Sequence, residues 1–408
     1  MSRKKMYRLL AFIIFTFTLL GVVVTVEFNR YTNRFAEQVN SDQSTKDLTN
    51  TPDAGQSTGE DLNSGNSTDN SGNTGAEDAS VNPGGNTSED SKDDDIPWEN
   101  IELLFSGDIN MTDNILNTYK KRGIDGILSR NFQEEFRNAD LAMVNQEFAF
   151  TERGTKAENK QYTFRVAPEN VQIFKDMQVD VVSLANNHSM DFGIEGLTDS
   201  FAALNSAGIQ YAGAGNNLTE AREIKYFNIK GKKIACLGAS RVIPEPTWNA
   251  YANKPGMLTT YDPTYLVEDI KTARTQSDFV VVYVHWGLEK HDTPEEYQRN
   301  LAKQYIDAGA DLVVGSHPHV LQGIEYYNGK PIVYSLGNFM FYSNIKQTAL
   351  LKVSINEQNE GSIRLIPGRA VESLTGELVK AEEIQKFYEY MTGISFGIQF
   401  NNDGTVIH

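Results

Sequence analysis

The sequence predicts an α/β domain over residues 98–408, preceded by a membrane-spanning helix and a long polar segment. Three observations lead to this prediction. Residues 9–26 contain no charged side chain, and residues 40–95 consist mostly of Ser, Thr, Asn, Gly and Asp. From Trp98 onward, short β-rich runs alternate with helical patterns, as in a sheet that is covered by helices.

Residues 9–26 have the length and composition of a transmembrane helix. As an α-helix they extend about 27 Å, close to the hydrocarbon thickness of a bilayer. Four basic side chains lie among residues 1–8. They predict a cytoplasmic N-terminus and a C-terminal domain outside the cell. The alternative is a cleaved signal peptide, which the absence of small residues at 24–28 disfavours.

Residues 27–97 are predicted to form a disordered stalk. Within them, residues 41–95 carry 13 acidic side chains against two basic ones. Too few apolar side chains are present to offset the entropy of folding, and repulsion between the acids extends the chain. The stalk would hold the domain away from the membrane or carry it through a wall layer. A tether without a specific task is the alternative, and the sequence does not separate the two.

The composition excludes several classes of protein. A net charge of −17 argues against nucleic-acid binding, which requires a basic face. The single cysteine, Cys236, excludes a disulfide framework and a zinc site built from several thiolates. Cys236 lies in an apolar run and is expected to pack as a small hydrophobic residue.

Within residues 98–408, the predicted strands are short apolar runs, as in strands covered on both faces. They are 102–106, 141–145, 179–185, 233–239, 279–284, 312–315 and 332–336. The predicted helices begin at a proline or end before a glycine. They are 168–177, 197–207, 263–275 and 294–308. Strands 348–355 and 362–367 predict an antiparallel edge, and a helix at 381–390 closes the chain.

Polar side chains follow five of these strands at the point where each strand ends. They are Asp108, Asn110, Asn145, Glu147, Asn186, Asn187, His188, Asp191, His285, Glu289, His317 and His319. Because strand ends of an α/β sheet open on a common crevice, we expect these side chains to lie together. Imidazole, carboxylate and amide groups form the mixed ligand shell of Mn, Zn or Fe. The sequence therefore predicts a divalent metal site, with two ions sharing a carboxylate if both positions fill.

Each of these residues also has a purely structural interpretation. Asp108 alone fits a turn, His188 alone fits the neighbour of a helix cap, and Glu289 fits an exposed acid at a helix start. His291 and His408 belong to no motif and are expected at the surface. The coincidence at five strand ends favours a joint site over these separate explanations.

The segments that carry these residues resemble the CapA family of poly-γ-glutamate capsule synthesis proteins, related to calcineurin-like metallophosphoesterases. The matching segments occur in the order of the family and span residues 100–342. They are 105–108, 145–147, 183–193, 285–289, 315–320 and 335–339.

The resemblance implies a four-layer α/β sandwich of the metallophosphoesterase type, with a metal site at the strand ends. The implied metal ligands are Asp108, Asn110, Glu147, Asn187, His285, His317 and His319. Asn110 stands where the wider phosphoesterase pattern has a histidine, so one metal position has one imidazole less. His188 would be the general acid, and Glu289 is predicted to orient it or to activate water. Five further side chains are assigned to substrate binding: Asn145, Asn186, Asp191, Trp286 and Asn338.

Three functions are compatible with these residues. The first is metal-assisted hydrolysis or transfer at a phosphoester or γ-glutamyl bond outside the cell, in the biosynthesis of a poly-γ-glutamate-type capsule. The second is a non-catalytic component of a membrane complex that synthesises or exports the polymer. The third is an extracellular metallophosphatase.

The expected partners are the membrane, other components of the capsule complex and the anionic polymer itself. The acidic domain disfavours a polyanion unless metal ions or a local basic patch reverse the charge of the cleft. Lys156, Lys160 and Arg165 are candidates for such a patch. A solvated loop is the alternative for these three residues.

Overall fold

Two β-sheets form the centre of the computed structural model, which describes residues 98–158 and 160–408. The predicted cytoplasmic segment 1–8, the membrane helix 9–26 and the stalk 27–97 lie outside the described residues. Among the described residues, no helix is both long and apolar enough to cross a bilayer.

The described part of the chain forms twenty strands, several of them only two or three residues long. In chain order they are β1 (Ile101–Ile109), β2 (Leu141–Gln146), β3 (Ala149–Phe150), β4 (Arg165–Val166), β5 (Val181–Ser183), β6 (Gln210–Ala212), β7 (Ala214–Gly215), β8 (Lys225–Ile229), β9 (Lys232–Ser240), β10 (Gly256–Met257), β11 (Phe279–His285), β12 (Leu312–Ser316), β13 (Leu321–Tyr327), β14 (Lys330–Leu336), β15 (Asn338–Met340), β16 (Ile345–Ile355), β17 (Gly361–Val371), β18 (Leu374–Glu377), β19 (Gln399–Phe400) and β20 (Val406–Ile407).

Eight α-helices connect or flank these strands in the same described residues. In chain order they are α1 (Asp113–Arg122), α2 (Arg130–Arg137), α3 (Gln172–Asp176), α4 (Gly193–Ala207), α5 (Leu218–Ala221), α6 (Thr264–Gln276), α7 (Glu296–Ala308) and α8 (Ala381–Ile394). A 3₁₀ turn that begins at Pro168 leads into α3. The mixed α/β architecture predicted from the sequence is confirmed.

The first sheet has the strand order β18–β17–β16–β1–β2–β5–β6, and β15 also pairs with β1. Strands β1, β2, β5 and β6 run parallel. Strands β16, β17 and β18 run antiparallel to their neighbours. The parallel strands end at the same edge of the sheet, and this edge carries the first half of the candidate site.

The second sheet has the strand order β13–β14–β12–β11–β9–β8. Its four inner strands run parallel. The two edge strands, β8 and β13, are antiparallel. Strands β11 and β12 end at His285 and Ser316, so this sheet carries the second half of the candidate site.

Alternation along the strands separates the three largest hydrophobic cores of the described residues. Leu103 and Phe105 of β1 pack against Val281 and Tyr283 of β11, so the two sheets lie face to face. Leu104 of β1 points the other way, into a core formed with α1, α2, α3 and α4. Helices α6 and α7 cover the outer face of the second sheet. The elements therefore lie in the order helix, sheet, sheet, helix.

Candidate metal centre

Strand ends from both sheets converge on one buried cluster of metal-ligating side chains. Asp108 lies near the end of β1, Glu147 follows β2, His285 ends β11, and His317 and His319 follow β12. Their ligand atoms form two groups, Glu147–His285–His317 and Asp108–Glu147–His319. Within each group these atoms lie within 4.8 Å of one another. Glu147 belongs to both groups and would be the shared ligand if each group held a cation.

Glu147 lies at the centre of the cluster and tests whether a cation fits. It is fully buried, and neither carboxylate oxygen has a hydrogen-bond partner among the described residues. Its Oε1 atom lies 3.9 Å from the Nε2 atoms of His188 and His285 and 3.8 Å from that of His319. Burial, and then the charge of Asp108, raise the pKa of Glu147 well above its ordinary value. A buried carboxylate without donors is costly, and a cation between it and the imidazoles would neutralise it.

Two of the histidines are kept neutral by burial. Burial lowers the pKa of His285 well below its ordinary value, and the neighbouring histidines lower it further. Burial likewise lowers the pKa of His317 to about 3. Nδ1 of His285 lies 3.0 Å from the Ser316 hydroxyl, and Nδ1 of His317 has no partner among the described residues. Neutral imidazole is the form that binds a metal ion, so both rings are ready ligands.

His319 and Asp108 are oriented by each other and by Asn338. Nδ1 of His319 lies 3.3 Å from Oδ2 of Asp108 and 2.9 Å from Oδ1 of Asn338. Burial alone would raise the pKa of Asp108. The hydrogen bond and the charge of His319 have a larger effect, so the pKa of Asp108 lies below its ordinary value. Asp108 is therefore an ionised ligand candidate, and Nε2 of His319 is left to face Glu147.

The backbone around these two histidines is unusual. His317 has φ of 99° and His319 has φ of 59°, both in the left-handed region that side chains other than glycine rarely adopt. Such conformations cost roughly 1–3 kcal/mol each and persist where the surrounding structure enforces them. The backbone N–H of His317 donates to Oδ2 of Asp108 at 3.3 Å. With these backbone conformations both imidazoles lie in groups that contain Glu147, and strain of this kind is typical of a functional site.

Two amide side chains complete the predicted ligand set. Oδ1 of Asn187 lies 2.7 Å from Nε2 of His285, so the structure brings Asn187 to the cluster. Asn110 is buried just beyond β1, and its amide nitrogen has no partner among the described residues. Both positions are compatible with the predicted ligand roles, which remain predictions.

His188 lies beside the cluster and outside both ligand groups. Nδ1 of its ring lies 2.7 Å from Oδ2 of Asp191, and Nε2 faces Glu147. Burial lowers the pKa of His188, although Asp191 opposes this shift. The ring packs against Phe164, with centroids 4.4 Å apart. This is the position that a proton donor next to a metal centre requires.

The predicted substrate-binding asparagines hold the ligands in place instead. Asn145 is fully buried and donates from Nδ2 to Oδ1 of Asp108 at 2.8 Å. Asn186 is also fully buried and donates to Oδ1 of Asn145 at 3.0 Å. The Oδ1 atom of Asn186 accepts from the backbone N–H of His188 at 3.0 Å. Because these groups are engaged with neighbours, the structure gives them a supporting position. Asn338, which orients His319, has the same role.

Two further side chains that were assigned to substrate binding are fully buried. Trp286 has no exposed surface; its indole N–H donates to the Tyr334 carbonyl at 2.9 Å and its ring stacks on Tyr305. Asp191 is fully buried and contacts His188. Both side chains are engaged with protein neighbours, and their assignment to substrate binding stays a prediction.

Glu289 is not brought into contact with His188. It lies exposed in the loop after β11, and the carboxylate that contacts His188 belongs to Asp191. The orienting role predicted for Glu289 is thus filled by Asp191. Activation of water by Glu289 remains a prediction.

An aromatic cluster that was not predicted from the sequence packs against the site. Phe341 packs against His319, with ring centroids 4.9 Å apart, and Phe164 packs edge-on against Phe341 at 5.8 Å. Tyr342 follows and is 53% exposed. The sequence signal for these aromatic residues is their position, three and four residues after Asn338.

The three basic residues after Glu147 do not form one patch. Lys156 and Arg165 are exposed, and Arg165 lies over the Phe192 ring at 4.6 Å. The side chain of Lys160 is only 13% exposed and points inward, toward Asp191. The structure therefore separates Lys160 from the two surface residues.

Sequence comparisons match the segment that contains this centre. A family model described as "Bacterial capsule synthesis protein PGA_cap" matches residues 102–343. The "PGA biosynthesis protein CapA" of Bacillus subtilis (strain 168) is 35% identical over 272 residues, which cover 65% of this chain and 71% of the relative. The "Capsule biosynthesis protein CapA" of Bacillus anthracis is 30% identical over 306 residues, 72% of this chain and 73% of the relative. A "Probable polyglutamine synthesis accessory protein" of Mycobacterium tuberculosis is 34% identical over 209 residues, 49% of this chain and 55% of the relative.

Comparisons with solved structures give weaker similarities. A crystal structure described as a novel phosphatase from Mycoplasma pneumoniae has a TM-score of 0.43 and 14% identity, covering 66% of this chain and 93% of that one. The 5′-nucleotidase of Candida albicans has a TM-score of 0.38 and 12% identity, covering 66% of this chain and 52% of that one.

Proposed function

The chain belongs to the PGA_cap family of bacterial capsule synthesis proteins, and on this basis we propose that it acts in the biosynthesis of a poly-γ-glutamate-type capsule. The names of the two Bacillus relatives support this proposal. In the proposal, residues 9–26 anchor the chain in the cell membrane and residues 98–408 work outside the cell. Partner proteins would be other components of the capsule synthesis and export complex.

The observation that carries the catalytic part of the proposal is the state of Glu147. Its carboxylate is fully buried and has no donor among the described residues, while three imidazole Nε2 atoms face it at 3.8–3.9 Å. The residues that would hold divalent cations are Asp108, Asn110, Glu147, Asn187, His285, His317 and His319. When bound, such cations polarise a substrate oxygen and promote the ionisation of water near neutral pH.

The residues of the chain itself supply orientation and a proton. Asn145 and Asn338 fix Asp108 and His319, and the low pKa of His317 keeps that ring neutral for binding. Asp191 holds the Nδ1 side of His188, so that Nε2 is presented to the site. With Nδ1–H bonded to Asp191, Nε2 carries a proton only in the doubly protonated ring, a form that the Asp191 carboxylate favours. In that form His188 would donate the Nε2 proton to the leaving oxygen or nitrogen of a phosphoester or γ-glutamyl bond. A donor in this position contributes roughly 10²–10⁴-fold in rate.

Metal analysis of the purified full chain tests this proposal. We expect bound Mn, Zn or Fe after reconstitution, and we expect Glu147→Gln to lose it. Glu135→Gln, at a partly buried glutamate paired with Lys352 and Arg364, is the matched control and should retain the metal. A folded Glu147→Gln variant with the metal content of the wild type would contradict the proposal. Turnover is then measured on phosphoesters and on poly-γ-glutamate.

The alternatives differ in what they require of His188. An extracellular metallophosphatase requires His188 and acts on phosphoesters alone. A non-catalytic component that binds or exports the polymer requires the metal centre but no proton donor. Variants of His188 therefore separate the two enzymatic functions from the binding role, and the bond that the wild type hydrolyses separates the two enzymes from each other.

A further inference from the structure

Lys160 is buried beside the candidate metal centre, and its ammonium group contacts three residues of one turn. Nζ donates to the backbone carbonyl of Asn187 and to Oδ1 of Asp191, and it lies 3.0 Å from Nδ1 of His188. The Trp248 ring lies on another side, with its centroid 5.2 Å from Nζ. A lysine of a solvated loop keeps its charged end in water, whereas this one directs it inward.

The burial of this charge has a cost that specific contacts must offset. Burial lowers the pKa of Lys160, although the Asp191 carboxylate opposes the shift. The side chain of Asp191 is itself fully shielded from solvent. A buried pair of this kind is retained only when its geometry and remaining hydrogen bonds are good. The Asn187 carbonyl provides such an additional bond.

The turn that Lys160 contacts carries two residues of the candidate centre. Asn187 presents Oδ1 to His285 at 2.7 Å, and His188 presents Nε2 to Glu147 at 3.9 Å. Asn187 and Asp191 lie at the two ends of this five-residue turn. One ammonium group bonded to both ends therefore fixes the distance across the turn.

The ring of His188 is constrained on its Nδ1 side by two partners. Nδ1 lies 2.7 Å from Oδ2 of Asp191, to which an N–H at this position donates, and the Lys160 ammonium packs against the same side of the ring at 3.0 Å. Rotation of the ring by half a turn would replace Nδ1 by a carbon atom and lose both contacts. The backbone N–H of Phe164 also donates to Oδ2 of Asp191 at 2.6 Å, so the loop that carries Lys160 is attached to the same carboxylate.

We propose that Lys160 is a positioning residue. It holds the side chain of Asn187 next to His285 and the ring of His188 next to Glu147. Any role of Lys160 in a reaction rests on the function proposed above. Its effect on the geometry of the candidate metal centre is independent of that function. The role differs from that of a basic patch, because the ammonium group faces the protein and not a polymer.

The test uses the purified full chain with Lys160→Met and Lys160→Gln. Lys225→Met is the matched control: Lys225 has a side chain 11% exposed, pairs with Glu223 and lies over the Tyr211 ring. Two readouts are the ¹⁵N signals of the His188 ring, assigned with His188→Asn, and the affinity for Mn²⁺ by calorimetry. Substitution of a residue that orients metal ligands typically weakens binding by about 10–100-fold.

We expect Lys160→Met to shift or broaden the His188 ring signals and to weaken Mn²⁺ binding by about tenfold or more, with Lys225→Met unchanged. Unchanged ring signals and affinity in folded Lys160→Met would overturn the proposal. If circular dichroism shows that Lys160→Met is unfolded, Lys160→Gln decides by the same two criteria, because it keeps the length of the side chain and removes the charge. If no form of the chain turns over phosphoesters or poly-γ-glutamate, the proposed enzymatic function fails, while the ring signals still decide the role of Lys160.

Discussion

His188 directs Nε2 toward Oε1 of Glu147, 3.9 Å away. Glu147 belongs to both groups of candidate metal ligands, and His188 belongs to neither. A group that can move a proton therefore faces the carboxylate that two cations would share. This relationship makes metal binding and proton donation separable by mutation.

The two candidate metal positions are expected to fill unequally. One group contains two imidazoles, from His285 and His317, whereas the group with Asp108 and His319 contains one. Calorimetric titration of the metal-free chain with Mn²⁺ should therefore show two steps whose affinities differ by about tenfold or more, which corresponds to about 1.4 kcal/mol. Two equal steps would contradict this assignment.

Single substitutions assign the two steps. His319→Ala should remove only the weaker step, because His319 belongs to one group, and Glu147→Gln should remove both. Exposed His291 belongs to neither group, so His291→Ala should leave both steps unchanged. Loss of the tighter step in His319→Ala would show that the group with Asp108 and His319 binds the metal ion more tightly, contrary to this assignment.

Replacing His188 should affect turnover and not metal content. His188→Asn is expected to retain bound metal and to lose about a hundredfold or more in turnover, because the proton donor is removed. Glu289→Gln should lose less, since Glu289 is exposed and the partner of His188 is Asp191. Steady-state rates and metal analysis of the same preparations check both expectations. A larger loss in Glu289→Gln than in His188→Asn would reverse the assigned roles.

Acid should destabilise the metal-free chain through His317. Burial lowers its pKa in the folded state to about 3, so between pH 6.5 and 3 the unfolded chain binds a proton that the folded chain does not. Stability from this residue is present above pH 6.5 and falls by about 1.4 kcal/mol per unit below it.

Urea unfolding in the presence of a chelator measures this effect. Between pH 7 and pH 5, the free energy of unfolding should fall by about 2 kcal/mol less in His317→Asn than in the wild type. Asparagine suits the test because it tolerates the left-handed backbone at this position. His291→Asn, at an exposed position, is the control. Equal pH dependence in the wild type and His317→Asn would show that His317 is protonated in the folded state.

Protease treatment tests the proposed topology. Four basic side chains before residues 9–26 should keep residues 1–8 inside the cell. Protease added to intact protoplasts should release a fragment that begins within residues 40–97, since an exposed polar segment is cleaved more readily than a folded domain. If the fragment appears only after lysis, the orientation is reversed.

The positions of the ligands could be predicted because they follow apolar strands in the sequence. Strand ends in a parallel sheet share one edge, so the order of polar residues along the chain was sufficient to group Asp108 with Glu147. His285 ends a strand of the second sheet, and its place beside them depends on how the two sheets pack. The direction in which each side chain points was harder to predict from the sequence. Trp286 directly follows His285, and the alternation of a strand turns its side chain to the opposite face, into the core under α7.

Contacts between distant segments explain the remaining differences. Lys160 reaches the turn at Asn187 from a loop with no apolar period, and no local pattern reports that contact. Helix α1 was not predicted because it buries only Ile115 and so shows no apolar stripe. The division of the strands between two sheets depends on pairing order, which the alternation of strands and helices does not contain.

The central claim is that the protein acts in capsule biosynthesis through a metal centre that has a working proton donor. The most direct measurement is polymer output in a strain that lacks this chain and is complemented with His188→Asn. The account predicts that the variant accumulates at wild-type levels and holds wild-type metal, and that polymer output falls to that of the uncomplemented strain. Full polymer output from a metal-loaded variant without turnover would contradict the enzymatic role and leave a binding role in its place.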